Sequence, residues 1–292
     1  MLGISSELDC LVCMMRQALN TSRLATKDEE KQRIILNLVS KEIVKVNLKF
    51  PPAQISKVVY EIVREVTGVE DPFKDVKEKS NKEALLMLPE LKKIVSSSQD
   101  PLYTSLYVAV AGNIIDLGIG HPFDLSRDVE NIMKSKFAID DYEFFRKDIE
   151  KSKKLLYLGD NAGEIVFDRV LIEELLKFGL EIKFCVKSKP IINDATMEDA
   201  IISGICEIVP VIETGNNSIG VDLENGSEEF KREFFGADII LSKGHGNFET
   251  CYGLPLNIYF LLKAKCDVVS RALGVRTGDI VFKKQRVRRR KL

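Results

Sequence analysis

The chain has 292 residues, 45% of them hydrophobic and 30% charged, with six cysteines, two histidines and a net charge of −1. This length allows one or two domains with buried cores. No apolar run reaches the length of a membrane span. The opening "MLGISSELDCLVCMMRQAL" lacks the basic start and small-residue cleavage site of a signal peptide, and six scattered cysteines do not form a disulfide framework, so a cytoplasmic protein is expected. His121 and His245 are too few for a zinc centre built on several imidazoles, which leaves oxygen-ligand chemistry.

Residues 1–150 read as a helical domain. "SSELDCLVCMMRQALNTSRLAT" opens with Ser and Glu in capping positions and repeats apolar residues at helical spacing. "DEEKQRIILNLVSKEIVKVNL" continues the pattern until "KFPPAQ" stops it with two prolines. "PAQISKVVYEIVREVTG" predicts a third helix closed by Gly68. Further helices are expected in "NKEALLMLPELKKIVSSS" and "PLYTSLYVAVAGNIIDLG". Cys10 and Cys13 share one helix face. No second CxxC pair completes a four-thiolate zinc site, and a core or substrate-lining role is expected of them, with partial metal binding as the alternative.

Beyond residue 150 the period changes. "KKLLYLG", "LEIKFCVKS", "CEIVPVI", "ADIILSK" and "IYFLLKA" are short apolar runs suited to strands, and "TGDIVFKKQ" adds one more. Helical stretches such as "EIVFDRVLIEELLKFG" and "TMEDAIISG" separate several of them. Alternation of this kind predicts a Rossmann-like α/β/α domain over residues 151–292 with a mainly parallel sheet. "NNSIGVDLENGSEEF" is expected to be a polar, mobile connection. The tail "KKQRVRRRK" carries seven basic residues and leaves 36 basic against 44 acidic, −8, for the rest. A solvated terminus is the plain reading of it, because an acidic body is a poor platform for nucleic acid.

Ligands of open α/β sheets bind beyond the carboxyl ends of the strands. "LLYLG" ends there in Asp160-Asn161, "FCVKS" leads to Asn193-Asp194-Ala195-Thr196, and "ADIILS" ends in Lys243-Gly244-His245-Gly246-Asn247. Asp160, Asn161 and Asp194 offer the oxygen donors that suit Mg²⁺, Mn²⁺ or a related ion. Lys243 is a candidate positive charge facing a phosphate, Gly244 lets a ligand approach the backbone, and Asn247 is a further polar group of the same turn. The helix start after Gly163 offers backbone donors for anion oxygens. Singly, each has a plainer reading: Asp194 as a helix cap, Asp160 as a turn acid, Lys243 as a surface cation.

"GDNAGE", "NDAT" and "SKGHGNFE", with "DCLVC", "DPFKDVKEKSNKEAL" and "AGNIIDLG" before them, resemble the damage-control phosphatase family, formerly domain of unknown function 89. The CxxC is similar to that of its short stand-alone, largely prokaryotic members. The resemblance spans nearly the whole chain. It implies a helical part, a Rossmann-like part, and hydrolysis of small phosphate esters with a divalent ion such as Mn²⁺, Ni²⁺, Co²⁺ or Mg²⁺. It also implies Asp160, Asn161 and Asp194 as metal ligands and Asn113, Asp116, Glu164 and Lys243 as residues near the phosphate. At His245 many relatives carry Gln or another polar residue. Two routes are open, metal-activated water and an aspartyl-phosphate on Asp160. The rival readings are a nucleotide- or S-adenosylmethionine-binding transferase, against which "GDNAGE" is not G-x-G-x-x-G, and a nucleic-acid-associated protein that uses the basic tail.

Overall fold

The computed structural model describes residues 3–112, 131–132 and 134–285. Five helices come first: α1 Leu8–Ala25, α2 Glu29–Ile43, α3 Pro52–Thr67, α4 Lys74–Ser96 and α5 Pro101–Ala111. Their ends follow local chemistry. Asp28 caps α2 by accepting from the Glu30 and Lys31 amides, Asp100 caps α5 through Tyr103 N, and Gly68 closes α3 in the left-handed conformation at φ 72°. At α1 the cap is Glu7, paired reciprocally with Cys10, rather than a serine. Helix α4 begins earlier than its apolar pattern suggests and runs through Pro89.

The second half alternates as expected: β1 Ile139–Asp140, α6 Tyr142–Ile149, β2 Lys154–Leu158, α7 Glu164–Leu176, β3 Glu181–Val186, α8 Met197–Ile202, β4 Val211–Glu213, α9 Glu228–Gly236, β5 Ile239–Lys243, α10 Gly244–Cys251, β6 Ile258–Lys263, α11 Asp267–Leu273 and β7 Ile280–Lys284. The sheet order is β1-β7-β6-β5-β2-β3-β4, and every pairing is parallel except β6 with β7. The two-residue β1 is too short for a sequence pattern to reveal, and it joins the sheet from upstream of residue 150.

Strand residues alternate between two apolar layers. Leu155, Tyr157, Ile239 and Leu241 face the layer built with α4, α5 and α7. Leu156, Leu158, Ile240 and Phe260 face the one that includes α1, α2 and α3. The connection over residues 214–227 is tied down rather than loose: Ser218 Oγ donates to Asp222, Val221 N donates to Thr250 Oγ1, and a Cβ on Gly220 would lie 2.1 Å from Gly246 O. Successive strands from β2 run outward through β3 to β4, then β5 returns to the other side of β2. The crevice between β2 and β5 is therefore the topological switch point. No helix of the described residues is long and apolar enough to cross a membrane.

Candidate active site

Two turns meet at that crevice. After β2, Gly159 lies so close to Phe184 that a Cβ would stand 2.6 Å from the ring. The chain then turns through Asp160–Gly163 into α7. After β3 it passes through Ile192, a β-branched residue held at φ 48°, into Asn193 and Asp194. Left-handed backbone at such a residue stores strain, and strain of this kind gathers at functional sites. Ala195 N donates to Asp160 O (2.8 Å), Ala162 N donates to Asn193 O (2.9 Å), and Asn161 pairs with Asp194 in an antiparallel bridge. The backbone thus places the three expected ligands side by side.

The charges do not balance. Lys187 is buried, lies 3.8 Å from Asp194 Oδ2 and donates to Gly220 O. No lysine or arginine among the described residues stands at ion-pair distance from Asp160, whose Oδ2 accepts instead from Asn161 Nδ2 (3.0 Å). Burial, reinforced by Glu164 and Asp194 and opposed by Lys265 and Lys243, holds the Asp160 carboxyl well above the usual range. Burial also pushes Asp194 up to about 6, with Lys187 pulling the other way. Closely set buried carboxylates lacking a full set of cations favour a bound cation. The donors, two carboxylates and an amide, fit a hard divalent ion that keeps water among its ligands. No cluster of three His, Cys, Asp or Glu able to hold a metal occurs among the described residues, so an ion here would depend on the Asn161 amide and on water or substrate oxygens.

Lys243 has a different place from the one expected. Its ammonium is fully buried and donates to Ala109 O (2.9 Å), Glu164 Oε1 (2.7 Å) and Asp168 Oδ1 (2.5 Å). All three N–H groups are engaged, leaving none for a phosphate. Burial opposes its charge, and Asp168 and Glu164 more than offset that, holding its pKa above the ordinary lysine value. Glu164 is buried too, and its Oε2 accepts from Asn161 Nδ2 (3.2 Å). Lys243 therefore acts on the ligand turn through Glu164. Gly244, at φ 77°, admits no ligand to its backbone: the Asp160 carboxylate fills that space, and a Cβ would lie 1.9 Å from its Oδ2. Asn247 donates to Gly159 O (3.1 Å) and Lys243 O (2.9 Å), holding the ends of β2 and β5 together. The first amide of the helix start is also taken, since Gly163 N donates to Asn81 Oδ1 (2.7 Å). Asn113 and Asp116 lie outside the described residues, as do residues 286–292 of the basic tail.

Asp160, Asn161 and Asp194 open onto a cavity of about 810 Å³, within the range of small-molecule sites. Its walls include Cys10, Cys13, Lys265 and Glu249. Lys265 is exposed, and its charge is the strongest positive influence on Asp160. Glu249 is buried and accepts from Ala53 N (2.8 Å); burial pushes its carboxyl up to about 8. Burial likewise raises the Cys10 and Cys13 thiols, which line the wall as neutral groups. His245 Nε2 sits 2.8 Å from Lys263 O and 2.9 Å from Lys265 N. Burial pushes its pKa down to about 4, and the ring is neutral at pH 7.

Sequence reading missed Asp168, Lys187, Lys265 and Glu249. Asp168 carried a signal, since it stands four residues after Glu164 in the same helix and so on the same face. Glu249 closes the quoted motif "SKGHGNFE", whereas Lys265 carried no signal until the fold turned it toward the cavity.

The profile of the damage-control phosphatase ARMT1-like domain matches residues 7–281. Among curated proteins, an uncharacterized protein of Methanocaldococcus jannaschii is 38% identical, over 95% of this chain and 94% of its own. The damage-control phosphatase PH1575 of Pyrococcus horikoshii is 35% identical, over 94% and 96%. A damage-control phosphatase of Archaeoglobus fulgidus is 34% identical, over 94% and 97%. The crystal structure of the P. horikoshii protein, described as a DUF89 family protein, superposes with a TM-score of 0.91 and covers 97% of this chain and 100% of that one. With its fold, its bridged Asp-Asn-Asp turns and this match, the chain belongs to the damage-control phosphatase ARMT1-like family.

Proposed function

We propose that the chain is a metal-dependent phosphatase that hydrolyses small phosphate esters, among them damaged or surplus phosphometabolites, with water as the attacking group. The observation that carries this reading is the pair of bridged turns, which sets Asp160, Asn161 and Asp194 together at the switch point with buried negative charge and an open cavity in front. The names of the archaeal relatives support the activity class.

Asp160, Asn161 and Asp194 would hold the ion. When bound, a divalent ion supplies Lewis-acid polarisation of the phosphoryl group and lowers the pKa of coordinated water. Glu164 orients the Asn161 amide, and Lys243 with Asp168 fixes Glu164 in turn. Lys265 takes the role that the sequence suggested for Lys243: an exposed ammonium on the cavity wall, placed to offset charge on phosphoryl oxygens.

The test uses para-nitrophenyl phosphate and a panel of sugar phosphates. Chelator-treated protein should be inactive, and Mn²⁺, Co²⁺, Ni²⁺ or Mg²⁺ should restore turnover. Asp160→Asn and Asp194→Asn should abolish activity and weaken metal binding while the fold is kept. Full activity of either variant, or of metal-stripped protein, would sink the reading.

A further inference from the structure

Helix α4 lies outside the strand-end turns, yet one of its residues touches the first candidate-ligand turn directly and reaches the second through the cap of α8. Asn81 is fully buried. Its Oδ1 accepts from Gly163 N (2.7 Å), and its Nδ2 donates to Asp199 Oδ1 (2.7 Å). Because the Gly163 amide can only donate, the atom that faces it must be the Asn81 carbonyl oxygen, and chemistry alone fixes which way the amide points.

Each contact sits close to a ligand. Gly163 follows Asn161 by two residues and adopts the left-handed conformation that starts α7. Asp199 closes the capping box of α8, accepting from Thr196 N (2.9 Å) and Thr196 Oγ1 (2.8 Å), and Thr196 follows Asp194 by two residues. Lys77, one turn before Asn81 on α4, lies 3.7 Å from Asp199 and 2.7 Å from Asp71 and holds that carboxylate in place. The backbone bridge joins the two turns at Asn161 and Asp194. Asn81 joins them a second time, from the helical half. The bridge itself consists of two hydrogen bonds, Ala162 N to Asn193 O and Ala195 N to Asp160 O, and the Asn81 contacts brace the far ends of the two segments, at Gly163 and, through Asp199, at Thr196.

We infer that Asn81 is a positioning residue of the metal site, setting from α4 the spacing of the turns that present Asp160, Asn161 and Asp194. The inference rests on the metal-dependent phosphatase reading above. Metal sites tolerate ligand displacements of only about 0.2 Å, so a small relaxation of either turn weakens binding.

The experiment compares full-length wild type with Asn81→Ala, Asn81→Asp and Leu91→Ala. Leu91 is fully buried farther along the same helix and serves as a packing control. Mn²⁺ affinity is measured by titration calorimetry, and kcat and KM for para-nitrophenyl phosphate at saturating Mn²⁺. In Asn81→Ala, the Mn²⁺ Kd should rise about tenfold or more and kcat should fall about tenfold, as outer-shell changes typically do, with KM little changed. Leu91→Ala should melt earlier yet bind Mn²⁺ as wild type does. Asn81→Asp keeps the volume and the acceptor for Gly163 but sets a carboxylate against Asp199. It should weaken Mn²⁺ binding in the same direction, and it supplies the answer if the alanine variant does not fold. Wild-type Mn²⁺ affinity and kcat in a folded Asn81 variant, or equal losses in Leu91→Ala, overturn the inference and leave the phosphatase reading standing. A wild-type protein that neither binds nor needs a divalent ion overturns both.

Discussion

Gly244 offers the sharpest test of the site, because a single methyl group would occupy the space of a proposed ligand. An alanine Cβ there would lie 1.9 Å from Asp160 Oδ2, 2.1 Å from Cγ and 2.5 Å from Oδ1. Ordinary contact begins near 3.4 Å, so the nearer oxygen must move from 1.9 to 3.4 Å, about 1.5 Å. That shift is several times the roughly 0.2 Å within which metal–ligand distances hold. Gly244→Ala should therefore weaken Mn²⁺ binding by at least the 10–100-fold that loss of a supporting contact costs, with a matching fall in activity. The backbone adds a separate cost, since φ 77° is left-handed and disfavours a side chain by about 1–2 kcal/mol. Gly274→Ala isolates that second effect: its φ is 75°, and nothing lies within 4 Å of a Cβ. Both variants should lose a few degrees of melting temperature, and only Gly244→Ala should lose metal affinity by titration calorimetry. Wild-type Mn²⁺ affinity in Gly244→Ala would refute the placement of Asp160 as a ligand.

Lys243→Met should destabilise the fold by about 3–5 kcal/mol at neutral pH, because it leaves Glu164 and Asp168 buried without their cation. Burial already pushes Asp168 up to about 6, and removing the ammonium raises it further; a folded pKa above the unfolded one means stability lost as pH rises, so melting curves should show the variant nearest to wild type below about pH 4 and weakest near pH 8. Lys265→Ala should lower kcat on the order of 100-fold with Mn²⁺ affinity kept, and a less than twofold change would remove Lys265 from the phosphate site. His245→Gln should change kcat by less than about threefold, and the wild-type pH–rate profile should show no histidine inflection near 6.5, since the ring is already neutral above about pH 4.

The two candidate turns were legible in the sequence because they lie beyond strand ends, where runs of polar residues, at Asp160-Asn161 flanked by glycines, have no packing role to explain them. The α/β alternation was legible for a similar reason: strands buried on both faces read as unbroken apolar runs. The reading failed at Lys243, and the cause is parity. Within β5, Ile239 and Leu241 face the α4, α5 and α7 layer, so Lys243, two residues on, faces it too. Its ammonium enters the protein toward Ala109, Glu164 and Asp168, where the helix pattern had already placed two acids on one face. Strand-end position argues for a site, but the direction of the side chain decides whether it meets the ligand or supports it. Lys265 illustrates the converse. It stands two residues past the end of β6, in a stretch with no distinguishing pattern, and its relation to Asp160 exists only once β5 and β6 pair in register. Asn81 lies within the quoted stretch "DPFKDVKEKSNKEAL", 79 residues before Asp160, but nothing in that stretch says what its side chain meets. Its part depends on two hydrogen bonds to the other half of the chain, one to the turn before α7 and one to the first turn of α8. Those bonds make the helical half part of the proposed site's frame: the residues that would touch the metal come from the turns after β2 and β3, which their backbone bridge holds in register, and α4 supplies a second brace.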